Sequence, residues 1–138
     1  MLRAFERAIG VVSDANLTIV GDGPLMEAVQ ETIRRRQIGN RVRLIQNAKP
    51  SLVRDLFMQT RVFVIASERE GLSNALIEAM ATGKVIVASS NDSHREALRD
   101  RHEALLFRID DEQDLTALMI SALTDEQLCE RLSTSARE

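Results

Sequence analysis

The chain has 138 residues, of which 44% are apolar and 28% charged, with a formal net charge of −3. That length predicts one domain able to bury about two-thirds of its unfolded surface, and the composition is that of an ordinary soluble globular protein. The slight acidic balance argues against a general nucleic-acid surface. No stretch approaches the roughly 18 apolar residues of a membrane span, and the N-terminus has no run long enough for a signal peptide. The single Cys129 has no internal partner and falls in a predicted surface helix. A reducing cytoplasm is therefore the expected location, with a peripheral site on the inner membrane face as its variant. The absence of Trp and Tyr removes the usual aromatic platforms for sugars or bases.

In chain order, residues 2–12 predict a helix with Leu2, Phe5, Ile9 and Val12 on one face. Asp14-Ala15-Asn16 is a turn and 17–20 a strand. Gly21-Asp22-Gly23-Pro24 then leads into a helix over 25–37, with Leu25, Val29 and Ile33 toward the core. Its closing arginines, Arg34-Arg35-Arg36, complement the helix dipole. Residues 42–45 alternate as a half-buried strand. Lys49-Pro50-Ser51 opens a helix that turns Leu52, Val53, Leu56 and Phe57 inward, and the apolar strand 62–66 follows.

A helix from a Ser73 N-cap to Gly83 comes next, then a strand over 85–88 and a polar loop over 89–93. A helix around 94–99 follows, with a short strand at 104–107. Asp111-Glu112 caps a helix carrying Leu115, Leu118, Met119 and Leu123. The last amphipathic segment, from 125 onward, turns Leu128 and Leu132 inward. Strands alternating with helices at this spacing predict a parallel sheet of about five strands, covered by helices on both faces.

The most informative stretch is Glu70-Gly71-Leu72-Ser73-Asn74-Ala75-Leu76-Ile77-Glu78-Ala79-Met80-Ala81-Thr82-Gly83. A buried strand, a glycine turn and a helix start together place unpaired backbone N–H groups and a positive dipole end at the end of a sheet, an arrangement that attracts phosphate. Asn74, Glu78 and Thr82 fall at i, i+4 and i+8 and make one narrow polar stripe on an otherwise apolar helix. Periodicity alone favours a stripe that faces solvent. A carboxylate less exposed than that needs hydrogen-bonding partners.

Glu70 and Glu78, with seven residues between them and followed by Ala-Met-Ala-x-Gly, resemble the signature of the retaining glycosyltransferases of family 4. The resemblance implies two Rossmann-like domains facing across a cleft, this chain being the C-terminal one, a single domain over 1–138 that binds a nucleotide-diphosphate sugar. By position it gives Glu70 to the donor sugar as the catalytic residue, Gly71, Leu72, Ser73 and Asn74 to the phosphate turn, and Glu78 to the ribose hydroxyls. The Gly21 and Gly23 turn and the Asn47 loop, expected near the base, complete the donor site. A Gly-x-Gly pair also serves as an ordinary strand–helix junction, and for Gly21 and Gly23 that structural role is slightly favoured. The implied donor carries UDP, GDP or ADP. No metal or other cofactor is implied, in keeping with the lack of an Asp-x-Asp motif or of His/Cys clusters at ligand spacing. The acceptor domain lies outside the chain, so activity of the chain alone is not expected.

The sequence departs from the family's pattern in several places. Asp92-Ser93-His94-Arg95-Glu96 stands where a glycine pair and a proline usually precede a glutamate, with His94 read as solvated surface. Val85, Ala104 and Gln46 replace a proline and two glycines. The family's first donor-domain strand, which carries an Arg and a Lys toward the diphosphate, is missing. Either the five strands close up in order 2-1-3-4-5, or another segment or a second copy of the chain fills the gap. Two rival functions remain. One is a degenerate binding or assembly module. The other is a receiver-like signalling domain, which Ser67-Glu68 argues against, since a phosphorylatable Asp would be needed there.

Overall fold

Five strands and seven helices alternate along the described residues, and the computed structural model describes residues 1–69 and 71–137. They are α1 (Leu2–Ile9), β1 (Leu17–Val20), α2 (Met26–Arg35), β2 (Val42–Ile45), α3 (Pro50–Gln59) and β3 (Val62–Ile65). There follow α4 (Asn74–Ala81), β4 (Val85–Ser89), α5 (Asp92–Ala97), β5 (Leu105–Phe107), α6 (Glu112–Thr124) and α7 (Glu126–Ser135). The predicted elements are all present, their ends moved by a few residues.

Every strand pair is parallel, and a helix lies in each connection between paired strands, as a parallel pair requires a crossover. The pairing forms two sheets. β1 lies beside β2, with Leu17 opposite Val42, and β3-β4-β5 form the second sheet, with Val62 opposite Val85 and Val87 opposite Leu105. Among the described residues no ladder joins β1 to β3, so the closed order 2-1-3-4-5 does not form. The first helix bridges the two halves. α1 is tied to the end of α2 by Glu6 and Arg36 and to α6 by Arg7 and Glu112 at 3.2 Å.

Two cores cover the sheets. On one face, Phe5 and Ala8 of α1 and Leu115, Leu118 and Met119 of α6 pack with Val85, Val87, Leu105 and Phe107, and Leu17, Ile19, Val62 and Val64 lean on the same cluster. On the other face, Phe57 of α3 and Leu76 and Ala79 of α4 pack with Ile65, Ile86 and Ala88. β4 is buried over its whole length because it has neighbours on both edges and helices on both faces.

Leu25 and Cys129 depart from their expected burial. Leu25 precedes α2 and is 72% exposed, and the half-buried face of α2 is Met26, Val29 and Ile33, of which Ile33 packs against the first core. Cys129 lies on a helix as expected but faces the core, where its thiol donates to the Ala122 carbonyl at 3.1 Å. The i, i+3 spacing of Cys129 and Leu132 puts both on one face of α7. No described helix is long and apolar enough to cross a membrane.

Candidate functional site

The helix α4 is built from good helix formers, Asn-Ala-Leu-Ile-Glu-Ala-Met-Ala, and is anchored by Leu76 and Ala79 in the second core. Its N-cap is the predicted one. Ser73 has extended backbone, and its Oγ accepts the Leu76 N–H at 3.2 Å. Its far end turns at Gly83, whose φ of +63° favours glycine. Before the cap, Gly71 and Leu72 are exposed, and a Cβ on Gly71 would meet only open space. The helix start is thus open on the side of Gly71 and Leu72.

Asn74, Glu78 and Thr82 share one face, as their spacing requires, and all three are exposed. Ile77 beside them is 46% exposed, so the helix is more open than an apolar run suggests. Thr82 is occupied locally, its hydroxyl donating to the Glu78 carbonyl at 2.7 Å. The Glu78 carboxylate has no hydrogen bond or ion pair among the described residues. Glu70, the residue given to the sugar, lies outside the described residues.

The first sheet carries a second group of predicted residues. Gly23 has a φ of +147°, a left-handed conformation that a side chain would resist, whereas Gly21 has ordinary backbone. Asn47, at φ +50°, donates its N–H to the Asp22 carboxylate at 2.8 Å. That bond brings the Gly21–Gly23 turn and the Asn47 loop together across the ends of β1 and β2. Asp22 is the residue the sequence reasoning left out. Its signal was a short acidic side chain between two glycines, the residue type that caps neighbouring backbone N–H groups. No described hydrogen bond links these loops to residues 71–78.

A buried polar cluster holds the end of β3. Ser89 Oγ and Asn91 Nδ2 both donate to the Ser67 carbonyl, at 2.6 and 3.0 Å. Asn91 Oδ1 accepts the His94 N–H at 2.8 Å and so caps α5. His94 is fully buried, with Nδ1 2.7 Å from the Ser89 carbonyl. It is therefore an interior residue and not solvated surface. The helix starts at Asp92, two residues earlier than the polar composition of 89–93 suggested, and this rotates His94 inward. The three residues together fix where the chain leaves β3 toward the glycine turn.

A cavity of about 300 Å³ opens at the ends of β3, β4 and β5, lined among others by Met1, Ala66, Glu68, Ser89 and Phe107. None of the predicted donor residues lines it. It borders the chain that leads from β3 to α4.

Comparison with known proteins gives the geometry a context. The family model of glycosyl transferases group 1 matches residues 1–138. The chain is 27% identical over 138 residues to the N-acetyl-alpha-D-glucosaminyl L-malate synthase of Bacillus anthracis, covering all of this chain and 35% of that protein. It therefore spans about a third of the length of that relative. A single-residue mutant of S. aureus TarM, solved in complex with Fondaparinux, alpha-GlcNAc-glycerol and UDP, superposes with a TM-score of 0.90 at 17% identity, over 99% of this chain and 27% of that one. The C-terminal domain of a group 1 glycosyl transferase (LpcC) from Francisella tularensis superposes with a TM-score of 0.80 at 16% identity, over 99% of this chain and 75% of that one. The chain belongs to the group 1 glycosyl transferases and has the Rossmann-like α/β fold of the C-terminal domain of the GT-B type.

Proposed function

We propose that the chain is the donor-binding part of a retaining glycosyltransferase and that it takes a nucleoside-diphosphate sugar at the start of α4. The observation that carries this is the open, Ser73-capped N-terminus of α4, preceded by an unobstructed Gly71 and flanked by an exposed Glu78. Free N–H groups at a helix start suit a diphosphate, and they act most strongly as negative charge builds on the leaving group. Glu78, one turn into the helix and unpartnered among the described residues, suits the vicinal hydroxyls of a ribose. Glu70 takes the sugar side. The UDP named in the TarM complex supports the nucleotide class, though not the base this chain selects. The Asp22–Asn47 junction would border the base. No metal is given a role in this reading.

The sugar passes from the diphosphate to an acceptor hydroxyl, whose binding residues belong to the portion of the relatives this chain does not match. The chain alone is then a binder without turnover. Glycosyl transfer by the purified 138 residues would overturn that part. Calorimetric titration with UDP, GDP and ADP tests the rest. Saturable binding of one nucleotide is the expected result, and Glu78→Ala should weaken it by about 1–3 kcal/mol as the ribose hydrogen bonds are lost. Silence with all three nucleotides would leave a non-catalytic module instead.

A further inference from the structure

The polar interior of this chain is concentrated in one corner. Among the described residues, the buried polar side chains are those of Ser89, Asn91 and His94, at 1%, 6% and 0% exposure, and all three lie where β4 passes into α5. Burying such groups is unfavourable unless each meets a partner. Part of the network serves the corner itself. Asn91 Oδ1 caps α5, and the Ser89 carbonyl accepts the Asn91 N–H at 2.9 Å. The remaining bonds reach across to a different element.

Ser89 Oγ and Asn91 Nδ2 converge on a single acceptor, the Ser67 carbonyl, and use both of its lone pairs. Ser67 is only half-buried, so water could satisfy that carbonyl without them. It stands two residues after the end of β3 and four before Gly71. Among the described residues, Glu68, Arg69, Gly71 and Leu72 make no hydrogen bond of their own, and the next fixed point is the Ser73 cap. The turn that leads into α4 is therefore tethered at Ser67 on one side and at Ser73 on the other.

His94 closes the corner. The Ser89 carbonyl can only accept, so His94 Nδ1, 2.7 Å away, carries the ring proton. The same nitrogen is 3.4 Å from Ser89 Oγ, which leaves that hydroxyl to donate toward Ser67. This tautomer makes Nε2 a bare lone pair, buried and without a partner among the described residues. An apolar side chain of similar size would avoid an unmatched buried acceptor, so stability alone does not account for a histidine here. What the histidine supplies, and an apolar side chain cannot, is the Nδ1–H.

We propose that Ser89, Asn91 and His94 are positioning residues of the nucleotide site. They hold the Ser67 carbonyl, and through it the turn up to Ser73, in one conformation before a ligand arrives. The free N–H groups at the start of α4 then meet a diphosphate without reordering the turn. His94 acts through Ser89. The part played in binding rests on the sugar-nucleotide reading, whereas the tether itself does not.

Asn91→Asp and Ser89→Ala test it on the 138-residue chain. Aspartate caps a helix as well as asparagine does, so Asn91→Asp keeps α5, but its carboxylate cannot donate to the Ser67 carbonyl. In the ligand-free chain the amide NMR signals of Gly71 and Leu72 should shift or broaden in both variants while that of Ile86 stays in place. Unmoved Gly71 and Leu72 signals in both would overturn the proposal. Calorimetric titration gives the second readout, with whichever of UDP, GDP and ADP the parent binds. Both variants should weaken that binding about tenfold, whereas Leu132→Ala, a truncation in the first core, should lower the melting temperature and leave the affinity unchanged. An equal loss of affinity in Leu132→Ala would make the corner merely structural and overturn the proposal. His94→Asn, which keeps a donor where Nδ1 stands, should retain more affinity than His94→Leu, and the reverse order would remove His94 from the positioning group. A parent that binds none of the three nucleotides would sink the donor reading, and the amide signals would still decide whether the tether exists.

Discussion

The two sheets are made of similar residues and are held very differently. In β3-β4-β5, helices cover both faces, and Ile86, Val87 and Ala88 have no exposed surface at all. In β1-β2 only the first-core face is covered. Leu17 and Ile19 are half-buried there while Thr18 and Val20 look outward, Val20 being 42% exposed. A strand's apolar side chains stabilise in proportion to the area they remove from water, so the second sheet is the rigid half and the first leans on it through α1 and α2. The candidate site divides along the same line. The Ser73 cap and Glu78 sit on a helix rooted in the rigid half, whereas Gly21, Gly23 and Asn47 ride on the looser one.

The contrast is broken most directly by paired truncations. Ile86→Ala empties a site with no exposed surface and should cost about 2–5 kcal/mol, whereas Ile19→Ala, at a half-buried position, should cost about 1–2 kcal/mol. Equal losses in urea denaturation would mean that the two halves are equally packed. Next in size is Gly83→Ala. It must hold φ +63° with a side chain whose Cβ would press on the Arg137 guanidinium, and a loss of about 1–2 kcal/mol is expected. Gly71→Ala, at a position open to solvent, should leave the melting temperature unchanged, which separates packing from access. Ser73→Ala removes the accepted Leu76 N–H and should cost about 1 kcal/mol by thermal unfolding. A variant as stable as the parent would show that the α4 start is held by its core contacts alone.

The smallest effect is electrostatic and belongs to the rigid half. Glu103 accepts the Arg99 N–H and Nε, both at 2.8 Å, and its hydrogen bonds with the Arg99 side chain hold its pKa down to about 2 from the ordinary 4.5. A carboxylate with a depressed folded pKa stabilises fully above about pH 4.5 and loses that contribution as the pH falls toward 2. Glu103→Gln should therefore flatten the decline in stability across that acid window and leave the pH dependence above it unchanged. An acid limb identical to the parent's would remove Glu103 from the account.

Local periodicity and punctuation determined much of this protein. The alternation of apolar runs with amphipathic helices defined five parallel strands, and Ser73 and Gly83 marked both ends of α4, because capping and left-handed turns depend on residues a few positions apart. The motif around Glu78 pointed to the family for the same reason, being a contiguous stretch with fixed spacing. What neighbours do across the fold was decided only in three dimensions. The split sheet, the inward turn of His94 and Cys129, the exposure of Leu25 and the Asp22–Asn47 bond each depend on which distant element packs alongside. A residue's own sequence window carries no record of that partner, since burial is a property of the surfaces that meet and not of the segment that supplies one of them.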